Sequence, residues 1–331
     1  MYETFLSLKF GMFVHFGLYS IGGEHEWHMY QHRMSLKAYK AAFLHRFDPD
    51  PAGMEQWVRT AKEMGATYIT CTSKHHDGFC LWDSAIPRAE RVDPGYTIRN
   101  TPFYEKHKKG VLDYLFEAGR KHGIRIGLYH SAVDWSWTRK PLIGPHPHVN
   151  KPGPAHEAYM SYYTAQLAEL GERYPDLLCF WFDGNHFRPG YPSQLRQDAV
   201  HDMLVQKFPK ALVSSNTGFT TAPVRVTGKT DLIIMENADH SNETPGAVWP
   251  RDDPDQLPGE FCLALNNHWG YNATDKNFKN PKDIAALVER NASRYSNTLL
   301  NFGPAPDGFI PDEQVAIARE IGALLRAGRG T

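Results

Sequence analysis

Eight short apolar runs recur along the chain, each separated from the next by turn residues or by a segment of helical spacing. No other feature constrains the fold as much. The runs are Phe10–Phe16, Tyr68–Ser73, Ile124–Tyr129, Leu177–Phe182, Ala211–Ser214, Leu232–Met235, Phe261–Leu265 and Thr298–Phe302. Several lack polar alternation, as expected of strands covered on both faces in a parallel sheet. Helical periodicity fills many of the intervals. It covers Met54–Met64 after Pro51, a stripe through Val111, Leu115, Ala118 and His122, then Ala155–Leu170 and Leu195–Phe208. Pro281–Tyr295 opens on a proline in its first turn, and Asp312–Leu325 closes the chain. This alternation predicts an α/β chain folded as an irregular (β/α)8 TIM-like barrel. Between the fifth, sixth and seventh strands only loops rich in Gly, Pro, Asp and Asn are read, so helices there are expected to be short or missing. No linker, repeat or low-complexity tract divides the 331 residues, which suit one barrel. Residues 1–331 are therefore read as a single domain.

Charge narrows the partners. Lys and Arg number 36 against 37 Asp and Glu, a formal net charge of −1. That balance argues against nucleic acid or an anionic membrane as a partner. The four cysteines, Cys71, Cys80, Cys179 and Cys262, form no C-x-x-C pair and read as small buried hydrophobes. The N-terminal residues show no basic head followed by an apolar run, and no long apolar window occurs. The expectation is a cytoplasmic chain without a signal peptide or membrane span.

In a barrel of this type the active site is built from the C-terminal ends of the strands. The first strand ends Phe13-Val14-His15-Phe16-Gly17, and the second Ser73-Lys74-His75-His76-Asp77-Gly78. The third ends Tyr129-His130-Ser131 and the fourth Trp181-Phe182-Asp183-Gly184. The sixth ends Glu236-Asn237 and the seventh leads into His268-Trp269-Gly270-Tyr271. Polar and aromatic groups thus converge on one rim. Asp183 at the mouth of a buried strand reads as a catalytic carboxylate or as a cap of the next turn, because a carboxylate there needs solvent or hydrogen bonds. Two uses compete for the histidines. They donate hydrogen bonds to a ligand, or His15, His75 and His130 ligate one metal ion as a metal-dependent hydrolase would.

These motifs resemble the family-29 glycoside hydrolases, the α-L-fucosidases. The resemblance is carried by Lys9–Ser20, Glu26-Trp27, Lys74–Trp82, Gly127–Ser131, Trp181–Gly184, Trp269–Asn272 and Asn297–Pro304 with Asp307-Gly308, in family order. It implies a retaining, exo-acting α-L-fucosidase that forms a covalent fucosyl-enzyme on Asp183. The implied fucose-binding residues are His15, Glu26, His75, His76 and Tyr129, with Phe13, Trp27 and Trp269 as apolar walls. Phe13 and His15 are two apart on one strand and face the same side. Phe13 can then press on the sugar's methyl while His15 bonds a hydroxyl. A retaining enzyme also needs a second carboxyl about 5–5.5 Å from the first. Glu236 is the favoured acid/base, Glu243 the alternative, and Glu260 is read as structural. The implied partner is a fucosylated oligosaccharide or glycoconjugate, with no cofactor and no metal.

Two departures stand out. Many members carry an arginine just after the fifth strand, where this chain reads Ser214-Ser215-Asn216-Thr217-Gly218. The C-terminal β-sandwich frequent in the family is not read here, which leaves room for a homo-oligomer in which a neighbouring subunit covers the site. A non-catalytic sugar-binding barrel is the remaining alternative. It would require a missing carboxylate, and both Asp183 and Glu236 are present.

Overall fold

The structure, a computed structural model, describes residues 1–86, 96–137, 154–183, 197–219, 229–236 and 257–328. Eight strands form a closed barrel in sequence order: β1 (Phe10–Val14), β2 (Tyr68–Lys74), β3 (Arg125–Ser131), β4 (Cys179–Asp183), β5 (Leu212–Phe219), β6 (Ile233–Glu236), β7 (Gly259–Ala264) and β8 (Ser296–Phe302). Every neighbouring pair is parallel, and β8 closes on β1 with Phe13 opposite Asn301. The helices are α1 (Tyr2–Leu6), α2 (Tyr19–Gly22), α3 (His28–Gln31), α4 (Leu36–Phe43), α5 (Ala52–Met64), α6 (Pro102–His107), α7 (Val111–His122), α8 (Pro154–Arg173), α9 (Gln197–Lys207), α10 (Pro281–Ser293) and α11 (Asp312–Gly328).

All eight expected strands are present, and the six helices read from periodicity correspond to α5, α7, α8, α9, α10 and α11. The largest difference is β5, which continues five residues beyond its expected end at Ser214. Its polar tail reads as loop, but β6 pairs with it through Ser215, Asn216 and Phe219, across a register shift. Backbone pairing there overrides side-chain polarity. Between β5 and β6 and between β6 and β7 no helix occurs among the described residues; most of those intervals, 220–228 and 237–256, lies outside them.

Strand alternation splits the apolar side chains into two layers. Met12, Val14, Ile69, Cys71, Ile126, Leu128, Phe180, Phe182, Val213, Leu300 and Phe302 point outward and join the helices in the main core. Phe13, Tyr68, Tyr129, Cys179, Trp181, Leu212, Ile234, Cys262 and Leu299 fill the barrel itself. The fit inside is close. A Cβ on Gly11 would fall 2.4 Å from the Tyr68 ring, so a glycine makes room for that tyrosine. Below it, α1 closes the N-terminal mouth: Asn297 Nδ2 donates to the Phe5 carbonyl at 2.8 Å, and the Phe5 ring packs on Tyr68. All four cysteines are buried and unbridged. Among the described residues, no helix is long and apolar enough to cross a membrane.

Candidate active site

Closing the N-terminal mouth leaves the C-terminal mouth as the place where inward-facing side chains meet solvent. There a pocket of about 130 Å³ is lined by Phe13, His15, Glu26, Trp27, His75, His76, Tyr129, Trp181, Asp183, Asn216, Glu236, Cys262 and Trp269. Phe13, Tyr129, Trp181, Asp183, Asn216, Glu236 and Cys262 all come from inward positions of successive strands. His15, His75 and His76 follow directly on β1 and β2, Trp269 comes from the loop after β7, and Glu26 and Trp27 come from the loop between α2 and α3.

Asp183 is held from three sides. Tyr129 Oη donates to its Oδ2 at 2.8 Å, Asn216 Nδ2 donates to its Oδ1 at 3.1 Å, and His76 Nε2 lies 3.5 Å from Oδ2. His76 is positioned in turn by Ser131, whose Oγ lies 2.6 Å from Nδ1. The same Asn216 amide nitrogen donates to Glu236 Oε2 at 2.6 Å. Two oxygens bonded to one nitrogen at these distances lie closer together than the roughly 6.5 Å at which the carboxyl spacing of inverting enzymes begins. Burial, then the charge of Asp183, raises the Glu236 carboxyl to about 7. A carboxyl in this state keeps its proton near neutrality while its partner is held by donors that favour the charged form.

The histidines divide by face. His15 Nδ1 meets Asn301 Oδ1 at 2.6 Å, and the Asn301 amide donates to the Trp269 carbonyl at 2.7 Å. With the amide so oriented, His15 carries its proton on Nδ1 and leaves Nε2 as an acceptor. Burial pushes His15 down to about 4 and holds His75 well below its usual range, so both are neutral at pH 7. A single strand cannot turn two adjacent histidines inward. Here β2 ends at Lys74 after a register shift against β3, and His75 and His76 both reach the pocket.

His130 does not join them. It follows inward-facing Tyr129 and therefore points outward, with Ser73 Oγ 2.9 Å from Nδ1 and its ring against Trp82 and Tyr163. The barrel wall separates it from His15 and His75, so strand alternation overturns the expectation of a shared ion among these three histidines.

Apolar walls complete the pocket. The Phe13 ring packs on His15, Trp181 and Trp269 at centroid distances of 4.5, 5.2 and 5.9 Å. Trp27 stands edge-on to His76 at 5.4 Å. Glu26 Oε2 accepts from the Gly270 backbone at 2.7 Å, which ties the loop after α2 to the loop after β7.

All eight residues expected to bind the sugar thus line one pocket with Asp183 and Glu236. Glu243 lies outside the described residues. Glu260 is buried beneath the floor and accepts from Tyr68 Oη at 2.6 Å and Trp181 Nε1 at 2.8 Å. Sequence reasoning left Asn216, Trp181 and Cys262 out of the site. Parity along their strands could have found two of them: Trp181 is two before Asp183 and Cys262 two after Glu260, whereas Asn216 lies past the expected end of β5 and is placed by pairing with β6.

Comparison with known proteins agrees with this architecture. Residues 1–328 match the family model described as Alpha-L-fucosidase. Alpha-L-fucosidase 1 of Arabidopsis thaliana is 26% identical over 289 residues, covering 84% of this chain and 52% of that protein. The solved alpha-L-fucosidase isoenzyme 1 from Paenibacillus thiaminolyticus is 27% identical with a TM-score of 0.78, over 99% of this chain and 76% of that one. An unliganded alpha-L-fucosidase from Lactobacillus casei, 24% identical, shares the fold with a TM-score of 0.77 over 100% of this chain and 99% of that one. The chain spans about half the length of the plant relatives it matches.

Proposed function

Because the chain belongs to the α-L-fucosidase family, we propose that it is a retaining exo-α-L-fucosidase acting on fucosylated oligosaccharides or glycoconjugates. Asp183 attacks the anomeric carbon of a terminal α-L-fucosyl residue, and Glu236 gives its proton to the departing glycosidic oxygen. A covalent fucosyl-enzyme results. Glu236, now ionised, takes a proton from water, which attacks the anomeric carbon and releases fucose with its original configuration.

The observation that carries this reading is the Asn216 amide shared by Asp183 and Glu236, which supports the close carboxyl pair of a retaining site. The different environments of the two support the division of roles. Tyr129, Asn216 and His76 surround Asp183 with groups that stabilise its negative charge, whereas burial keeps Glu236 protonated. The neutral His15 and His75, the Glu26 carboxylate and the Phe13 and Trp269 rings suit a sugar with three hydroxyls and one methyl group. A pocket ringed by seven strand ends accommodates one terminal residue, in keeping with exo action.

Proton NMR of 4-nitrophenyl α-L-fucoside hydrolysis tests the proposal. The α anomer of fucose is expected to form first and to mutarotate afterwards. First appearance of the β anomer would overturn the retaining assignment, and no release of nitrophenol or fucose would overturn the activity.

A further inference from the structure

Outside the pocket, the segment that delivers Glu26 and Trp27 also places three metal-ligating side chains together. Glu24, His28 and His32 follow one another at intervals of four, with His28 opening α3 and His32 capping its C-terminal end. Positions four apart on a helix share a face, which sets His32 beside His28, while Glu24 reaches them from the loop before the helix. One ligating atom from each lies within 4.8 Å of the other two. Glu24 Oε2 is 3.0 Å from His28 Nδ1 and 2.5 Å from His32 Nε2, and the two imidazole rings are 4.4 Å apart.

The Glu24–His32 contact is a hydrogen bond, but hydrogen bonding does not account for the place of His28 beside them. His28 Nδ1 is buried and, despite its closeness to Glu24, makes no hydrogen bond of acceptable geometry. The neighbouring His25 is otherwise engaged: Nδ1 accepts from the Trp27 backbone at 3.0 Å and Nε2 meets Gln31 Oε1 at 2.8 Å. Glu24 and His32 are each about half exposed, at 48% and 50%, so an ion can enter from solvent.

We propose that Glu24, His28 and His32 form a binding site for a divalent transition-metal ion of the zinc class. Two imidazoles and one carboxylate, with coordination positions open to water, are the donor set such ions take at bond lengths of about 2.0–2.2 Å. Calcium and magnesium prefer oxygen donors throughout. The occupant ties the residues flanking Glu26 and Trp27 to one centre whose ligands are not among the residues lining the sugar pocket.

Titration of the whole protein with Co²⁺, followed by visible d–d absorption, tests the site independently of activity. One equivalent is expected to bind with the absorption of a four- or five-coordinate ion, and Zn²⁺ is expected to displace it. His32→Gln and Glu24→Gln, both on exposed side chains, are expected to weaken binding at least tenfold while far-UV circular dichroism stays unchanged. Saturating L-fucose is expected to leave the spectrum as it is, because the pocket histidines are not involved. Absence of the band at tenfold excess Co²⁺, unchanged binding in both variants, or loss of the band with L-fucose would each overturn the proposal.

Discussion

Asp183 and Glu236 are bridged by a single side-chain amide, Asn216, whose nitrogen donates to one oxygen of each. The bridge comes from the tail of β5, where the resemblance to the family leads one to expect an arginine and the chain has an amide. An arginine would bring a full positive charge between the carboxyls. The amide brings two N–H donors and no net charge, so Glu236 is free to hold its proton.

Asp183→Ala is expected to lower kcat by at least about 10³-fold, since ~1.4 kcal/mol corresponds to each tenfold step. External azide is expected to restore turnover and yield β-fucosyl azide, because the anion enters the space of the missing carboxylate and attacks from that side. Activity near that of the parent protein, or rescue giving the α-azide, would remove Asp183 from the role of nucleophile.

The raised Glu236 carboxyl sets a pH dependence. An acid catalyst works while protonated, so kcat/KM is expected to fall as pH rises through about 7. Asn216 stabilises the charged form of Glu236; Asn216→Ala removes that donor and is expected to move the alkaline limb to higher pH. The same variant is expected to lose about 10–100-fold in kcat through the poorer support of Asp183. A limb that stays in place in Asn216→Ala would show that Glu236 does not govern it.

For Glu236→Gln, the expected loss depends on the leaving group. Nitrophenol departs without help, so formation of the fucosyl-enzyme is expected to survive on the aryl fucoside and collapse on a fucosyl disaccharide. Equal losses on both substrates would direct attention to Glu243.

Glu260 links the site to stability. Burial raises its carboxyl from 4.5 to about 7, so the folded chain holds a proton that the unfolded chain releases between those values. Unfolding free energy therefore falls as pH rises from about 4.5 to 7, by on the order of 3 kcal/mol from this group. Glu260→Gln can still accept from Trp181 and can donate to Tyr68, and it is expected to flatten the slope of urea-unfolding stability over that interval. An unchanged slope would mean that Glu260 does not titrate there.

Lys74 is fully buried beside Asp134 and Gln166, at 3.5 and 3.3 Å, with the rings of Tyr159, Tyr162 and Tyr163 around its ammonium. Lys74→Met would remove the buried cation beside Asp134, at a cost of about 3–5 kcal/mol. Thermal unfolding of the variant checks this. A loss below about 1 kcal/mol would show that the lysine is not the charge that Asp134 depends on.

Strand count, strand order and most of the pocket are legible in the amino-acid sequence. Those follow from local rules. Uninterrupted apolar runs mark buried strands, a period of two sorts inward from outward residues, and catalytic groups gather at C-terminal strand ends. Phe13, His15, Asp183 and Glu236 are all legible in that way, and the resemblance adds Glu26, Trp27 and Trp269 from loops that local rules do not place. Tertiary structure alone decided how far β5 runs and therefore that Asn216 stands between two carboxylates. It also decided that His75 and His76 both turn inward where β2 breaks register, while His130 is shut outside the wall. Closure of the barrel brings Glu260 beneath Trp181 and Tyr68 from strands far apart in the chain. Register between strands and the closing of the sheet depend on the packing of all eight strands together, and no window of sequence contains that information.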